Sequence, residues 1–470
     1  MSASFFSRSR IIAGPGFSRW MVPPAALAVH LCIGQAYAFS VFNDPLTRLL
    51  GISASAPEDW KLTSVGWIFS LAIVFLGLSA AFAGKWLEKV GPRLTMFVAA
   101  CCFGSGFWLS ALGVYWHVLW LVYLGYGVLG GIGLGLGYVS PVSTLIKWFP
   151  DRRGMATGMA IMGFGGGAMI GAPLAVGLME FFKTDISLGV VETLLTMGTL
   201  YFLSMMIGAL TIRIPPQDWQ PAGWQPVVQP QKMISQAHVH IDQAMKTPQF
   251  YWLWLVLCCN VTAGIGVLSQ ASVMIQEMFK GSVTPAAAAG FVGLLSLFNM
   301  AGRFFWSSFS DYLGRKRTYM IFFALGAVLY ATVPSLGMAG NKLGFVALYA
   351  IIMSMYGGGF STIPAYLADI FGTRYVGGIH GRLLTAWATA GVLGPVLVNY
   401  LREYQLEQGV AKADAYNMTL YIMAVILLLG MVCNLLVKAV HEKHHLKHDD
   451  FDELDGIYPA KSEPTGAAHD

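Results

Sequence analysis

Twelve stretches of about twenty mainly apolar residues follow one another along this 470-residue chain. They run roughly over 21–43, 64–84, 95–114, 119–141, 154–179, 191–212, 250–276, 287–308, 318–338, 343–366, 377–400 and 416–437. A helix needs about 20 such residues to cross a hydrocarbon layer about 30 Å thick. In lipid every backbone N–H and C=O must be paired within the protein, so these stretches can only be helices. The fold class is therefore an all-α membrane protein. Charge agrees: 11% of the residues are charged, where a soluble domain carries about 25%. The basic residues are scattered over short loops instead of one face, which excludes nucleic acid as a partner. The six cysteines lie in apolar stretches and read as small buried hydrophobes. The first residues show no cleavable leader, so the first span is expected to act as its own insertion signal.

An even number of spans puts both termini on one side. The tails and loops of that side carry 21 Lys and Arg, and the opposite loops carry 7. The positive-inside rule then predicts cytoplasmic termini in the inner (plasma) membrane. The longest internal loop, rich in Pro and Gln, reads as a linker. The expected division is a tail (1–19), a first six-helix bundle (20–213), the linker (214–249), a second six-helix bundle (250–438) and a disordered tail (439–470), the last rich in His and then acidic.

The two halves repeat. Glu88 and Asp311 are 223 residues apart, as are Gly91 and Gly314, and Pro141 and Pro364. Arg152, Arg153 and Gly154 after the fourth span are echoed by Arg374 and Gly377 after the tenth. Pro173 and Pro395 hold matching places in spans 5 and 11. The two prolines at 141 and 364 are expected to end their spans. Two pseudo-symmetric six-helix bundles around a linker are the pattern of a transporter whose halves rock against each other.

One ionisable group stands apart. Of 29 Lys and Arg, Arg303 is the one read as lying well inside a span, and no Asp or Glu is read so; Glu192 and Arg382 fall near the ends of their spans and are read with the loops. A charge within the bilayer costs roughly 2.5–3.5 kcal/mol on insertion scales, so it reads as functional. A fixed cation without an acidic partner asks for an anion. Arg303 lies eight residues before Asp311, about 12 Å along a helix, which is near the midplane. Its planar fork matches a carboxylate. Asn299 precedes it by one turn on the same face. Gln35 and Tyr37 supply polar edges, and Tyr138, Tyr356 and Phe360 supply aromatic walls. His30, read as the other titratable group within a span, is a candidate proton relay; the alternative is a neutral hydrogen-bonded core histidine.

Glu88, Arg93, Arg152, Arg153, Asp311, Arg315 and Arg374 cluster in the cytoplasmic loops. They are expected to gate by pairing with one another or by bonding free amides at a neighbouring helix N-terminus. No phosphate-binding loop is present, so ATP is not the energy source. No nucleophile–base pair or metal-ligand cluster lies in the spans; neither an enzyme nor a cofactor or metal is indicated.

The loop from Gly84 to Arg93, partly echoed from Ser307 to Lys316, resembles the major facilitator superfamily. Gly34 to Phe42, Gly131 to Pro141 and Lys147 to Gly154 resemble, more narrowly, the oxalate/formate antiporter family. The resemblance implies alternating access, an arginine on helix 8 that binds the substrate carboxylate, and aromatics on helices 1, 4, 10 and 11 around the cavity. It also implies a second cation, a lysine, on helix 11. The register through Leu384, Thr385 and Ala386 puts Trp387 there instead. One cation favours a monocarboxylate of the formate, lactate or pyruvate type over oxalate, because a second carboxylate would stay unpaired. A proton-coupled monocarboxylate symporter is the alternative, although Asn299 cannot take up a proton. A drug or cation exporter would need a membrane-embedded carboxylate, and a sensor would need a signalling domain. The expected partners are a small carboxylate and the bilayer, with a monomer sufficient.

Overall fold

Twelve long helices account for nearly all the ordered chain in the computed structural model, which describes residues 5–216, 219–224, 233–235 and 237–446. They are α1 (Arg19–Leu46), α2 (Leu62–Val90), α3 (Pro92–Tyr115), α4 (Leu119–Trp148), α5 (Arg153–Phe182), α6 (Val190–Thr211), α7 (Pro248–Met278), α8 (Pro285–Leu313), α9 (Arg315–Met338), α10 (Lys342–Phe371), α11 (Val376–Glu407) and α12 (Asn417–Leu436). Among the described residues, eleven are long and apolar enough to cross a membrane. α8 carries Asn299 and Arg303.

Helix starts follow simple chemistry. Thr284 accepts a hydrogen bond from the Ala287 amide ahead of Pro285, and Asn341 accepts one from Gly344 at the start of α10. Gly91 and Gly314, repeat-equivalent, have φ of 84° and 88° and turn the chain between α2 and α3 and between α8 and α9. A residue with a Cβ is strained in that region.

Pro141 and Pro364 do not end their helices. α4 continues to Trp148 and α10 to Phe371, with each proline inside. Within a membrane the freed carbonyl is re-satisfied locally and a proline is tolerated. The consequence is that Asp369, outside the expected span, stands on the last turn of α10. α11 starts at Val376, as expected within a residue, and breaks its regular winding at Leu384; it carries His380 and also Arg382, which the sequence reading counts with the loops. α1 tightens to a 3-10 winding over Gly34–Phe42, and α4 loosens to a π winding over Tyr123–Gly130.

The halves meet chiefly along two repeat-related pairs, α5 with α8 and α2 with α11. Backbones approach closely there. A Cβ on Gly154 would run into the Ser307 carbonyl oxygen, and one on Gly381 into the Ala80 carbonyl oxygen. Small residues let membrane helices pack at this range. The linker is not a loose connector over its second half: Val239, Ile241 and Ala244 are buried, and the Ser235 and Val239 amides donate to the carbonyls of Asp369 and Phe371. The C-terminal tail follows it as far as Leu446, whose amide donates to His238; the remaining tail lies outside the described residues.

Gly154→Ala and Gly381→Ala each place a methyl against backbone that cannot yield, so overpacking of about 1–3 kcal/mol falls on this closed arrangement. Single-cysteine labelling from the cytoplasmic side should show roughly 5- to 150-fold more opening. Unchanged labelling would mean the contact does not hold the halves together.

Candidate functional site

The Arg303 side chain is fully buried between the halves. Its Nε donates to Asn299 Oδ1 at 3.0 Å. Its guanidinium carbon stands 5.0 Å from the centre of the Phe360 ring (α10) and 5.6 Å from that of Phe164 (α5), within the range of cation–π attraction. Gly165 leaves room for the stem: a Cβ there would come within 3.0 Å of the arginine Cδ. The Arg303 carbonyl accepts hydrogen bonds from Ser307 and Ser361, which ties α8 to α10 at this level. Both Nη1 and Nη2 are buried and have no hydrogen-bond partner among the described residues. Two fork nitrogens without acceptors in a dry site are expensive to leave so, and they define where an anion would lie.

Aromatic residues enclose that fork. Trp387 is fully buried on α11, one turn beyond the break at Leu384. Its ring centre is 4.6 Å from Phe360, 5.3 Å from both Tyr138 and Phe164, and 6.3 Å from Tyr37. The Tyr37 and Tyr138 hydroxyls lie close to the guanidinium. Tyr37 on α1 and Tyr356 on α10 share a hydroxyl–hydroxyl hydrogen bond of 3.2 Å, which links the two halves. The Trp387 Nε1 and Tyr138 Oη are buried donors without hydrogen-bond partners of good geometry among the described residues.

Other expected residues are placed differently. Asn299 gives its oxygen to Arg303 and so orients the fork. Gln35 is buried beside Tyr126, from which its Oε1 accepts at 3.0 Å, and makes no contact with the guanidinium. His30 does not face the fork. Its ring nitrogens meet the carbonyls of Ala160 at 2.6 Å and Tyr138 at 3.1 Å, and its ring stacks on Tyr138. A neutral ring can donate to one of these two carbonyls. Residues the sequence reading missed are Phe164 and His380. Phe164 is the 223-residue equivalent of Trp387, so the repeat could have identified it. His380 is buried in the first half of α11, 5.9 Å from the Tyr138 ring.

A charged lattice closes the end of the bundles that carries the linker. Asp311 accepts from the Gly154 and Met155 amides at 2.8 and 2.9 Å, at the N-terminus of α5, and pairs with Arg315 at 2.6 Å. Asp369 takes Arg153 at 2.9 Å and Arg315 at 3.1 Å, joining α5 to α9 and α10. At the repeat-equivalent place Glu88 lies against Gly377 and pairs with Lys147 at 3.0 Å. Asp242 of the linker bridges Lys85 on α2 (2.5 Å) and Arg382 on α11 (2.8 Å).

The remaining expected gate residues are Arg93, Arg152 and Arg374. Arg93 is buried within the first half, donating to the carbonyls of Phe5 and Leu210. Arg152 is exposed and forms no salt bridge among the described residues. Arg374 stands over the Tyr375 ring.

The Major Facilitator Superfamily model matches residues 17–395, and the chain belongs to that family. It is 28% identical over 378 residues to the oxalate:formate antiporter of Oxalobacter formigenes, covering 80% of this chain and 83% of that one. It is 22% identical to apicoplast pyruvate carrier 1 of Toxoplasma gondii, covering 75% and 78% of the two chains. The crystal structure of the E. coli fucose:proton symporter superposes with a TM-score of 0.62 at 13% identity, over 89% of this chain and 99% of that one. The protein is thus a multi-pass membrane transporter and not an enzyme.

Two predictions come from the cytoplasmic lattice. Removing one partner of a buried pair costs about 3–5 kcal/mol. Asp311→Asn should therefore raise cytoplasmic cysteine labelling by roughly 100-fold or more, and no rise would contradict a gating role. His238 in the linker carries a pH effect. Burial, with Arg374, Arg153 and Lys147 nearby, lowers its pKa from 6.5 to about 4. The packed linker therefore holds it neutral. Its packing is intact above pH 6.5, weakens as pH falls below that value, and has lost the full contribution below about 4. The melting temperature in detergent should fall between pH 7 and 5, and His238→Gln should flatten that fall.

Proposed function

We propose that this member of the superfamily carries small carboxylate monoanions across the inner (plasma) membrane by alternating access, as an exchanger or a uniporter. The observation that carries the reading is the Arg303 fork, buried between the halves with Nη1 and Nη2 unpartnered. Asn299 fixes the plane of the guanidinium, and the faces of Phe164 and Phe360 support its charge without neutralising it. A carboxylate bridging Nη1 and Nη2 completes the hydrogen bonding. Because α5 and α10 both reach this point, the anion also ties the two halves together.

The same geometry ranks substrates. Trp387 stands where the family resemblance would put a second cation, so one negative charge is compensated and a second is not. Monocarboxylates are favoured over oxalate on that ground. The named substrates of the relatives, oxalate and formate in one and pyruvate in another, belong to the same chemical class. A cation exporter is disfavoured, because the cage gathers a guanidinium and aromatic rings and no carboxylate. Proton coupling through the helix 8 pair is disfavoured, because Asn299 does not titrate.

In this reading the cycle has two barriers. The lattice of Asp311, Arg315, Asp369 and Arg153, with the Asp242 bridge, shuts the cytoplasmic side. The Tyr37–Tyr356 hydrogen bond closes the other side of the fork. Both termini face the cytoplasm, and a monomer contains the whole path.

Uptake of labelled formate, lactate, pyruvate and oxalate into proteoliposomes tests this. Arg303→Gln should lower monocarboxylate uptake by about 10- to 150-fold, the worth of charge-assisted hydrogen bonds of about 1.5–3 kcal/mol. Arg303→Lys keeps the charge without the fork and should fall between. Oxalate uptake exceeding that of every monocarboxylate would overturn the single-cation reading.

A further inference from the structure

Resting on that reading, we propose that the cage selects short monocarboxylates bearing an oxygen on the carbon next to the carboxylate, that is, 2-oxo and 2-hydroxy acids. Trp387 Nε1 is the donor that reads that oxygen. Three observations lead here. The Trp387 ring is fully buried and its N–H has no partner among the described residues. The ring shares both of the phenylalanines that flank the guanidinium, at 4.6 Å from Phe360 and 5.3 Å from Phe164. The Tyr138 ring is 5.3 Å from that of Trp387, and its buried hydroxyl makes no hydrogen bond of good geometry among the described residues.

The donor types decide the chemistry. The fork takes the carboxylate. The remaining donors are an indole N–H, which can only donate, and a phenol. Both are neutral, so they match a neutral acceptor and leave a second carboxylate without a counter-charge. A carbonyl or hydroxyl oxygen next to the carboxylate meets that requirement. The short carbon chain then rests on the rings of Phe164, Phe360 and Trp387. Formate has no second oxygen-bearing carbon, and propionate presents only hydrogens there. Sites that hydrogen-bond a substrate oxygen discriminate strongly against the analogue that lacks it, because their own donors are then left unpaired.

The test is transport of labelled pyruvate, lactate, propionate and formate in proteoliposomes, for wild type, Trp387→Phe and Tyr138→Phe. Wild type should prefer pyruvate and lactate over propionate and formate by about 10-fold or more in kcat/KM. Trp387→Phe keeps a ring and removes the donor, so the pyruvate-to-propionate ratio should fall several-fold. A ratio is independent of how much protein reconstitutes, and Tyr138→Phe reports on the second donor should the tryptophan variant fold poorly. A wild-type ratio near one, or a ratio unchanged in both variants, would overturn the inference while leaving the carboxylate reading standing. Transport of none of the four anions would overturn that reading itself, and this inference with it.

Discussion

A fixed positive charge buried between the two halves is the constraint on which the rest of this structure depends. The Arg303 charge is not cancelled by a carboxylate. It is held by one amide oxygen and by the faces of two aromatic rings, one from each half. Such support tolerates the charge and leaves the fork free for an acceptor. A carboxylate partner in the protein would have occupied the same nitrogens and removed the attraction for an anion. The glycine at 165 serves the same end, since a side chain there would crowd the arginine stem.

Pseudo-symmetry explains how one chain builds both the site and its closure. α5 with α8 and α2 with α11 are the same contact made twice. Asp311 against the α5 N-terminus repeats as Glu88 against Gly377 at the α11 N-terminus. The copies have diverged in how they are held. One carries a buried network of two acids and two arginines. The other has a lysine–glutamate pair, and the linker's Asp242 adds a clasp across α2 and α11. The linker thereby belongs to the closed face of the bundles and is more than a tether.

Much of this was legible in the sequence because membrane helices and buried charge leave strong signals. The twelve apolar stretches, the 223-residue offset, Arg303 and the carboxylate–amide contact of Asp311 are of that kind. What was missed came from element ends. Reading Pro141 and Pro364 as helix stops placed Asp369 outside a helix, whereas a membrane interior lets helices run through proline. His380 and Arg382 both fall within the eleventh stretch, yet the first was passed over and the second was counted with the loops. Gln35 and His30 looked like site residues because polar side chains in apolar stretches are rare. The Gln35 oxygen accepts from Tyr126, and the His30 ring lies against two backbone carbonyls, of which a neutral ring donates to one. Tertiary neighbours of that sort leave no periodic trace in sequence.

The most direct test of the central claim is a structure of the purified protein determined with saturating pyruvate. The account predicts density for the carboxylate within hydrogen-bond distance of Arg303 Nη1 and Nη2, enclosed by Phe164, Phe360 and Trp387. Density elsewhere, with both nitrogens turned onto backbone carbonyls, would contradict it and make Arg303 a structural residue.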